Sequence, residues 1–450
     1  MARVLLIAAN REQFPEPAFP LGAAYVAGAL EAHGCAVRLF DAGLARRPLA
    51  DLRRAVAEHA PDVVGISLRN IDNAAYPYAR SYVGWYEELA GAARSAAPAA
   101  RLVVGGSAFA IFPKELHELL GADIGVTGDG EAGMLAALGN GHSGVIERRL
   151  DDLTTVGLPA ELERVFPSFR RYKTIGVQTA RGCPYRCVYC TYPLLEGRCL
   201  RRRPPEAVAD ELATLQALHP SAEFFLVDSA FNADEEHLAA VCRAIIARRL
   251  GLRFSCYLQP VMNDPSLFGL LAEAGCMAVD FGTDSASAAM LARLGKSFAV
   301  EELRAASAAC RSAGIDFCHS LLFGGPGETR ETVAETVRVM DEIAPNAVVA
   351  MVAMRIYPGT ALAALAEEGR EHAEEGQESG SLLTPRFYLA EGEPGWPYSQ
   401  VRAAAATRRS WFLPGSRDWS ALLGPKVLRL VHGEGPLWRS FPRPRWYRFF

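Results

Sequence analysis

Three cysteines stand within one short stretch, Cys183-Pro-Tyr-Arg-Cys187-Val-Tyr-Cys190, directly after an apolar run. This spacing allows one loop to gather all three thiolates, which are soft ligands suited to an iron–sulfur cluster or to zinc. Zinc is the minor alternative, because Cys199 and His219 do not follow at zinc-ligand spacing. A cubane cluster has four irons, so three cysteines would leave one iron open to bind a substrate or cofactor.

The composition excludes several classes of protein. A chain of 450 residues with 50% hydrophobic content can bury two or three cores. Its net charge of −4 disfavours nucleic acid as the main substrate, so a small molecule or peptide is expected. Ten cysteines are too few for a disulfide scaffold, which predicts a cytoplasmic protein. The apolar runs are too short for a signal peptide or a membrane span.

The first 140 residues alternate between short apolar runs and helical patterns. Five strands are predicted, at residues 3–9, 36–40, 62–67, 101–106 and 123–126. This alternation predicts an α/β domain with a doubly wound, Rossmann-like parallel sheet, which binds ligands beyond the carboxyl ends of its strands. The candidate ligand residues at those ends are Asn10, Ser67, Leu68, Arg69, Asn70, Gly105, Gly106 and Ser107.

A second alternating region covers residues 174–370 and follows a predicted linker, residues 141–173, with little structure of its own. Strand-like runs occur at 174–179, 222–228, 252–257, 277–282, 315–321 and 346–352. Helical patterns separate these runs, so the region repeats a strand–helix unit six times. Residues 371–450 form a small C-terminal extension that begins in a Glu- and Gly-rich stretch. Its aromatic and basic end is predicted to pack over the preceding domain or, alternatively, to touch a membrane interface.

The cysteine motif, with Tyr189 before its last cysteine, resembles that of the radical S-adenosylmethionine (SAM) superfamily. The resemblance implies a partial (β/α)6 barrel and a [4Fe–4S] cluster on Cys183, Cys187 and Cys190 whose open iron binds SAM. It also implies an external electron donor such as flavodoxin or ferredoxin. Candidate SAM contacts are Tyr189, Asp228, Ser229, Asp284, Ser285 and Lys296.

The first domain resembles the cobalamin-binding domain of the B12-dependent radical SAM branch. The similar segments are Pro20-Leu-Gly22, the Pro61–Asp72 run, Val104-Gly-Gly106 and Gly128-Asp-Gly-Glu131. Many B12 folds carry an Asp-x-His-x-x-Gly loop whose histidine ligates cobalt, and residues 1–140 contain no such motif. Cobalamin is therefore expected without a histidine ligand, its lower face meeting the loop 68–72. Arg69 is the residue expected below cobalt.

The two resemblances together imply a C-methyltransferase that acts on an unactivated carbon. In the implied mechanism one SAM supplies methyl to cobalamin and a second supplies a 5′-deoxyadenosyl radical. No catalytic acid or base is assigned. The alternatives are a cobalamin-dependent rearrangement or cyclisation, a B12-independent radical SAM enzyme, and a non-catalytic iron–sulfur carrier or sensor.

Overall fold

Two parallel sheets organise the protein. The computed structural model describes residues 1–13, 16–139, 141–368, 382–393, 395–414 and 434–440. The first sheet contains β1 (Arg3–Ala8), β2 (Ala36–Asp41), β3 (Val63–Ser67), β4 (Arg101–Gly105), β5 (Ile124–Gly128) and β6 (Gly144–Arg148). Its order is β2-β1-β3-β4-β5-β6, so the winding reverses between β1 and β3. A ligand crevice is expected outside the carboxyl ends of these two strands.

Helices cover both faces of the first sheet, which is why its central strands are apolar on both sides. They are α1 (Leu21–Ala32), α2 (Pro48–His59), α3 (Val83–Ala96), α4 (Ser107–Ile111), α5 (Pro113–Leu120) and α6 (Gly130–Leu138). The five predicted strands are all present, and the doubly wound α/β fold is confirmed.

The second sheet has seven parallel strands and is open. After α7 (Leu162–Val165), the strands of this half are β7 (Thr174–Val177), β8 (Ala180–Arg181), β9 (Arg201–Arg202), β10 (Glu223–Leu226), β11 (Phe254–Leu258), β12 (Cys276–Asp284), β13 (Asp316–Phe323), β14 (Ala347–Val352), β15 (Met354–Arg355), β16 (Phe387–Tyr388) and β17 (Trp411–Phe412). The sheet order is β17-β14-β13-β12-β11-β10-β7, while β8–β9 and β15–β16 form separate antiparallel pairs. The six predicted strands therefore form the expected partial barrel.

Helices accompany the strands of this half, and most of them cover the outside of the barrel. They are α8 (Tyr192–Leu195), α9 (Pro205–Leu218), α10 (Glu235–Ala247), α11 (Leu267–Glu273), α12 (Ala288–Arg293), α13 (Val300–Ser312), α14 (Arg330–Ile343), α15 (Ala361–Glu368) and α16 (Trp396–Ala406). Outward-facing side chains such as Phe224, Phe254 and Phe281 pack beneath these helices and are buried. The alternate positions of the same strands face the barrel interior.

The prediction of an unstructured linker at residues 141–173 is wrong in part. Residues 144–148 form β6 at the edge of the first sheet, and Phe166, Phe169 and Tyr172 are buried between the halves. In an edge strand with one solvated face, polar and apolar residues alternate, so the strand has no continuous apolar run. The buried aromatic residues of this segment stand singly among charged residues. Neither pattern has the periodicity by which strands and helices are recognised.

Buried polar contacts join the two halves. Arg181 donates to Asp129 at 2.8 Å and to Glu131 at 2.6 and 3.0 Å, and its side chain is 9% exposed. Arg203 donates to the Tyr25 hydroxyl at 2.9 Å. A single apolar core also runs through both halves. Since this interface is both apolar and hydrogen-bonded, it fixes the first sheet against the barrel.

The C-terminal extension contributes one strand to the second sheet and one side chain, Trp438, to the barrel interior. β17 pairs with β14, and a short 3₁₀ helix at Leu437–Ser440 places Trp438 against Ala278, Cys318 and Ala347 inside the barrel. The Glu- and Gly-rich residues 369–381 and the aromatic, basic residues 441–450 lie outside the described residues. Among the described helices none has the length and apolarity needed to cross a membrane.

Candidate functional site

The three cysteines lie on the loop between β8 and α8. Cys183 N–H donates to the carbonyl of Gly197 at 3.0 Å, and Val188 N–H donates to the carbonyl of Leu294 at 3.1 Å. Gly182 begins the loop at φ +110°, where a Cβ atom would stand 2.2 Å from the carbonyl oxygen of Cys199. Backbone contacts therefore hold the loop in place without any metal.

The thiols fit a cluster better than a single ion. Cys183 is buried, and Cys187 and Cys190 are partly buried. Burial raises the pKa of Cys190 to about 12, and the neighbouring thiols Cys187 and Cys183 add to the rise, so the three groups are close. Yet no group of three or more His, Cys, Asp or Glu side chains in the described ranges is placed to hold one metal ion. Three cysteines on one loop, close enough to raise one another's pKa, suit a cluster in which each cysteine binds its own iron.

Tyr189, Asp284 and Lys296 form a buried cluster beside the cysteine loop. The Tyr189 hydroxyl donates to Asp284 at 2.5 Å, and the Lys296 ammonium donates to Asp284 at 2.9 Å and to the carbonyl of Gly282 at 2.7 Å. Asp284 has φ +62°, a strained conformation for a residue with a side chain. Lys296 also lowers the pKa of Cys187, which burial raises. The structure thus brings three of the predicted SAM residues together next to the predicted cluster.

The other three predicted SAM residues make internal contacts. Asp228 accepts from the backbone N–H of Thr179 at 2.7 Å and from its hydroxyl at 2.5 Å. Ser229 donates to the carbonyl of Gly182 at 2.9 Å, and Ser285 bonds the hydroxyl of Thr336 at 3.0 Å. These contacts position the cysteine loop and the end of β12.

A cavity of about 980 Å³ lies between the two halves. On the side of the first sheet it is lined by all the predicted strand-end residues, which are Asn10, Ser67, Leu68, Arg69, Asn70, Gly105, Gly106 and Ser107. Gly106 has φ +97°, and a Cβ atom there would stand 2.5 Å from the carbonyl oxygen of Leu68. The strand ends therefore meet as predicted, with the backbone packed too tightly for any residue larger than glycine at this position.

The loop that carries Arg69 is held from both sides. The Ser107 hydroxyl donates to the carbonyl of Arg69 at 2.6 Å, and the Tyr86 hydroxyl donates to the carbonyl of Asn70. Asp72 is paired with Arg355 at 2.8 Å, a contact that reaches from the first sheet to β15. The Arg69 side chain lines the cavity. No histidine is found among the described residues that line this cavity.

The barrel interior forms the other end of the same cavity. Its lining includes Tyr257, Asp280 and Trp438, together with Thr191 and Tyr192, which directly follow the last cysteine of the motif. None of the six predicted SAM residues lines the cavity. Asp280, Glu223 and Trp438 were not predicted from the sequence. A single polar residue in an apolar strand carries no local signal of which face it occupies, and Trp438 lies in a short segment with no periodic pattern.

The cavity and the loop around it fit the two cofactors that the sequence implies. The first-sheet end offers backbone and small side chains at a switch point, where a large planar cofactor can approach closely. The residues that would hold cobalamin are those of the strand ends at Asn10, 67–70 and 105–107, and the cysteines would hold the cluster.

Two family models match the chain. The Radical SAM superfamily model matches residues 177–340, and the B12 binding domain model matches residues 8–138. Together they cover β2 to β5 of the first sheet, the cysteine loop, and β10 to β13 of the barrel.

Curated relatives are enzymes. The chain is 27% identical to tryptophan 2-C-methyltransferase of Streptomyces laurentii, over 80% of this chain and 74% of the relative. It is 26% identical to the anaerobic magnesium-protoporphyrin IX monomethyl ester cyclase of Rubrivivax gelatinosus, over 73% of this chain and 62% of the relative.

A solved structure matches nearly the whole chain. It is the radical SAM methyltransferase TsrM of Kitasatospora setae with cobalamin and a [4Fe–4S] cluster bound, at 25% identity and a TM-score of 0.83, covering 98% of each chain. The protein is therefore an enzyme of the cobalamin-dependent radical SAM superfamily, and the relatives that it resembles include methyltransferases.

Proposed function

We propose that the enzyme transfers a methyl group to a carbon atom of a small aromatic molecule bound in the barrel end of the cavity. The observation that carries the proposal is the continuity of this cavity, which joins the carboxyl ends of the first sheet to the barrel interior and to the end of the cysteine loop. A methyl donor bound at the first-sheet end can then face a substrate bound at the barrel end, with no bulk solvent between them.

The chain's own residues have three tasks in this proposal. The strand-end loops hold cobalamin, the cysteine loop holds the cluster, and Tyr189, Asp284 and Lys296 contact SAM. When bound, the cofactors supply the methyl group and the chemistry that moves it. The Arg181 contacts to Asp129 and Glu131 keep the two halves at a fixed separation, which sets the position of the substrate relative to the methyl donor.

Aromatic and apolar side chains favour an aromatic substrate. Phe225 and Tyr257 meet edge to face, with ring centroids 4.8 Å apart, and Trp438 closes the far end of the barrel. Such rings stack on a planar ligand. The methylation of tryptophan by a relative is consistent with a ring of that size. A cytoplasmic location and an electron donor such as flavodoxin or ferredoxin remain part of the proposal.

Incubation with methyl-labelled SAM tests the proposal. The purified protein is reconstituted anaerobically with iron, sulfide and cobalamin, and then supplied with reductant, labelled SAM and a panel of indoles and other small aromatic compounds. Mass spectrometry should find the label on carbon in a product whose formation requires cobalamin.

A cyclase related to the matched magnesium-protoporphyrin enzyme would give a product without the label. That outcome would replace methyl transfer with ring formation. Label found on nitrogen or oxygen would also contradict the proposal.

A further inference from the structure

Two carboxylates line the barrel end of the cavity, and neither is paired with a basic side chain in the part of the chain that the structure describes. Glu223 is the first residue of β10, and Asp280 lies in β12 opposite Tyr257 of β11. The basic side chains among the described lining residues are Arg69 and Arg181. Arg181 is occupied by Asp129 and Glu131, and Arg69 belongs to the loop of the first sheet.

Asp280 is surrounded by aromatic and apolar groups. The strand register places Tyr257 on one side of it and Cys318 on the other. Burial raises the pKa of Asp280 to about 7, although the indole of Trp438 lowers it. Burial likewise raises the pKa of Cys318, and the Asp280 carboxylate adds to that rise. A hydrogen bond from a ligand to this carboxylate is therefore stronger than the same hydrogen bond would be in water.

Glu223, which lines the same cavity as Asp280, has one carboxylate oxygen without a hydrogen-bond partner among the described residues. Glu223 is 3% exposed; its Oε1 accepts from the N–H of Gly435 at 2.9 Å, whereas its Oε2 has no hydrogen-bond partner. Trp438 is 6% exposed, and its indole lies close enough to Asp280 to lower the pKa of that carboxyl. An unpaired buried polar atom costs free energy, so the barrel end holds polar groups that the protein itself does not fully satisfy.

Asp280 lies deeper in the barrel than the residues predicted to contact SAM. Asp284 of β12 touches Tyr189 and Lys296 beside the cysteine loop, and Asp280 is four residues earlier in the same strand. At roughly 3.3 Å per residue, the two carboxylates are separated by about 13 Å along the strand. A separation of this size leaves room for a substrate of one or two rings between the predicted SAM residues and Asp280.

We propose that Asp280 is the substrate-recognition residue and that it accepts a hydrogen bond from an N–H group on the aromatic substrate, either a ring N–H or a protonated amine. This inference rests on the proposed function for the presence of an aromatic substrate in the barrel. An acidic group among aromatic rings selects a planar body that carries an N–H donor over one that does not.

Binding of three probes to the reconstituted holoenzyme, measured by anaerobic calorimetry without SAM, tests the inference. Indole carries only a ring N–H, 1-methyltryptamine carries only an ammonium group, and 1-methylindole carries neither. We expect indole or 1-methyltryptamine to bind about tenfold or more tightly than 1-methylindole, as a bond to a charged acceptor implies. The preferred probe identifies the kind of donor.

The variant Asp280→Asn should remove most of this preference while leaving the affinity for 1-methylindole unchanged. Glu273→Gln, a carboxylate-to-amide change on the exposed end of α11, is the matched control and should keep the preference. A wild-type protein that binds the three probes equally, or an Asp280→Asn variant that retains the preference, overturns the inference. Equal weakening of all three probes together with a lower Tm would show a purely structural carboxylate and would also overturn it.

These measurements involve no turnover, so they are separate from the test of methyl transfer. A protein that methylates an aromatic probe but shows no preference for N–H donors refutes the role of Asp280 alone. A protein that prefers N–H donors but yields an unlabelled product refutes methyl transfer and leaves the recognition role intact.

Discussion

Replacing Arg181 by Met tests whether the interface between the halves depends on a buried charge. The Arg181 side chain donates to Asp129, to both oxygens of Glu131 and to Gln178. Asp129 retains Arg201 at 2.5 Å and the N–H of Leu150, but Glu131 loses its ion pair and stays buried at 5% exposure. Removing one partner of a buried ion pair costs about 3–5 kcal/mol, because the remaining charge is uncompensated.

This cost converts to a modest shift in Tm. One apolar core joins both halves, so we expect them to unfold as one unit. The unfolding entropy of a chain of this length is about 1 kcal/mol per kelvin, so Arg181→Met should lower Tm by roughly 3–5 °C. Differential scanning calorimetry at one fixed scan rate measures the shift. The same variant should bind less cobalamin, because Asp129 and Glu131 line the cavity.

The double variant Arg181→Met/Glu131→Gln distinguishes two causes of the lost stability, namely the uncompensated charge of Glu131 and the loss of packing around the Arg181 side chain. Neutralising Glu131 removes the uncompensated charge, so the double variant should recover about half or more of the lost stability. A double variant no more stable than Arg181→Met, or an Arg181→Met protein with unchanged Tm, would refute the reasoning.

Four further predictions concern the cofactors and the cavity. Cys187→Ala should lose cluster iron and methyl transfer, whereas Cys199→Ala, at an exposed position, should keep both; iron analysis decides, and normal iron in the Cys187 variant contradicts the cluster assignment. Arg69→Lys and Arg69→Gln should both alter the cob(II)alamin spectrum while iron content stays normal, because Arg69 is predicted to lie below cobalt and neither replacement keeps its planar guanidinium; unchanged spectra would place Arg69 elsewhere. Gly106→Ala should weaken cobalamin binding in a titration, because its Cβ would meet the Leu68 carbonyl at φ +97°; full affinity would mean that the loop adjusts freely. Burial raises the pKa of Asp280 to about 7, above its unfolded value, so its contribution to stability is lost as pH rises from about 4 through 7. The Tm of Asp280→Asn minus the Tm of the wild type should therefore increase between pH 5 and pH 8. The titratable neighbours of Asp280 are Tyr257 and Cys318. A Tm difference that stays constant over this range would contradict the prediction.

Local patterns in the sequence were sufficient for most of the fold. The strand predicted at 277–282 is observed as β12 at Cys276–Asp284, and the strand predicted at 101–106 as β4 at Arg101–Gly105. Apolar runs of this kind are read from neighbouring residues, because each run must be buried on both faces of a parallel sheet. The cysteine loop could be recognised equally well, because its three cysteines lie close together in the sequence, at positions 183, 187 and 190.

Segments that are stabilised only by residues distant in the sequence could not be predicted from local patterns. β17 consists of Trp411 and Phe412, and it exists because β14 offers a free edge. The buried aromatic residues of the predicted linker likewise depend on the first sheet, as the contact of Phe166 with Phe19 at 5.8 Å shows. A segment of two to five residues has too few positions to show a period, so its structure is decided by what it packs against.

The sequence by itself determined the two α/β halves, the cluster loop and the strand ends that meet at the cavity. Only the tertiary structure decided that Asp284 pairs with Lys296, that Asp72 pairs with Arg355, and that Asp280 faces the cavity near Trp438. Secondary structure follows from the periodicity of residues close in sequence. Which polar side chains share a cavity depends instead on strand register and on the packing of one half against the other, and these join residues that are far apart in the chain.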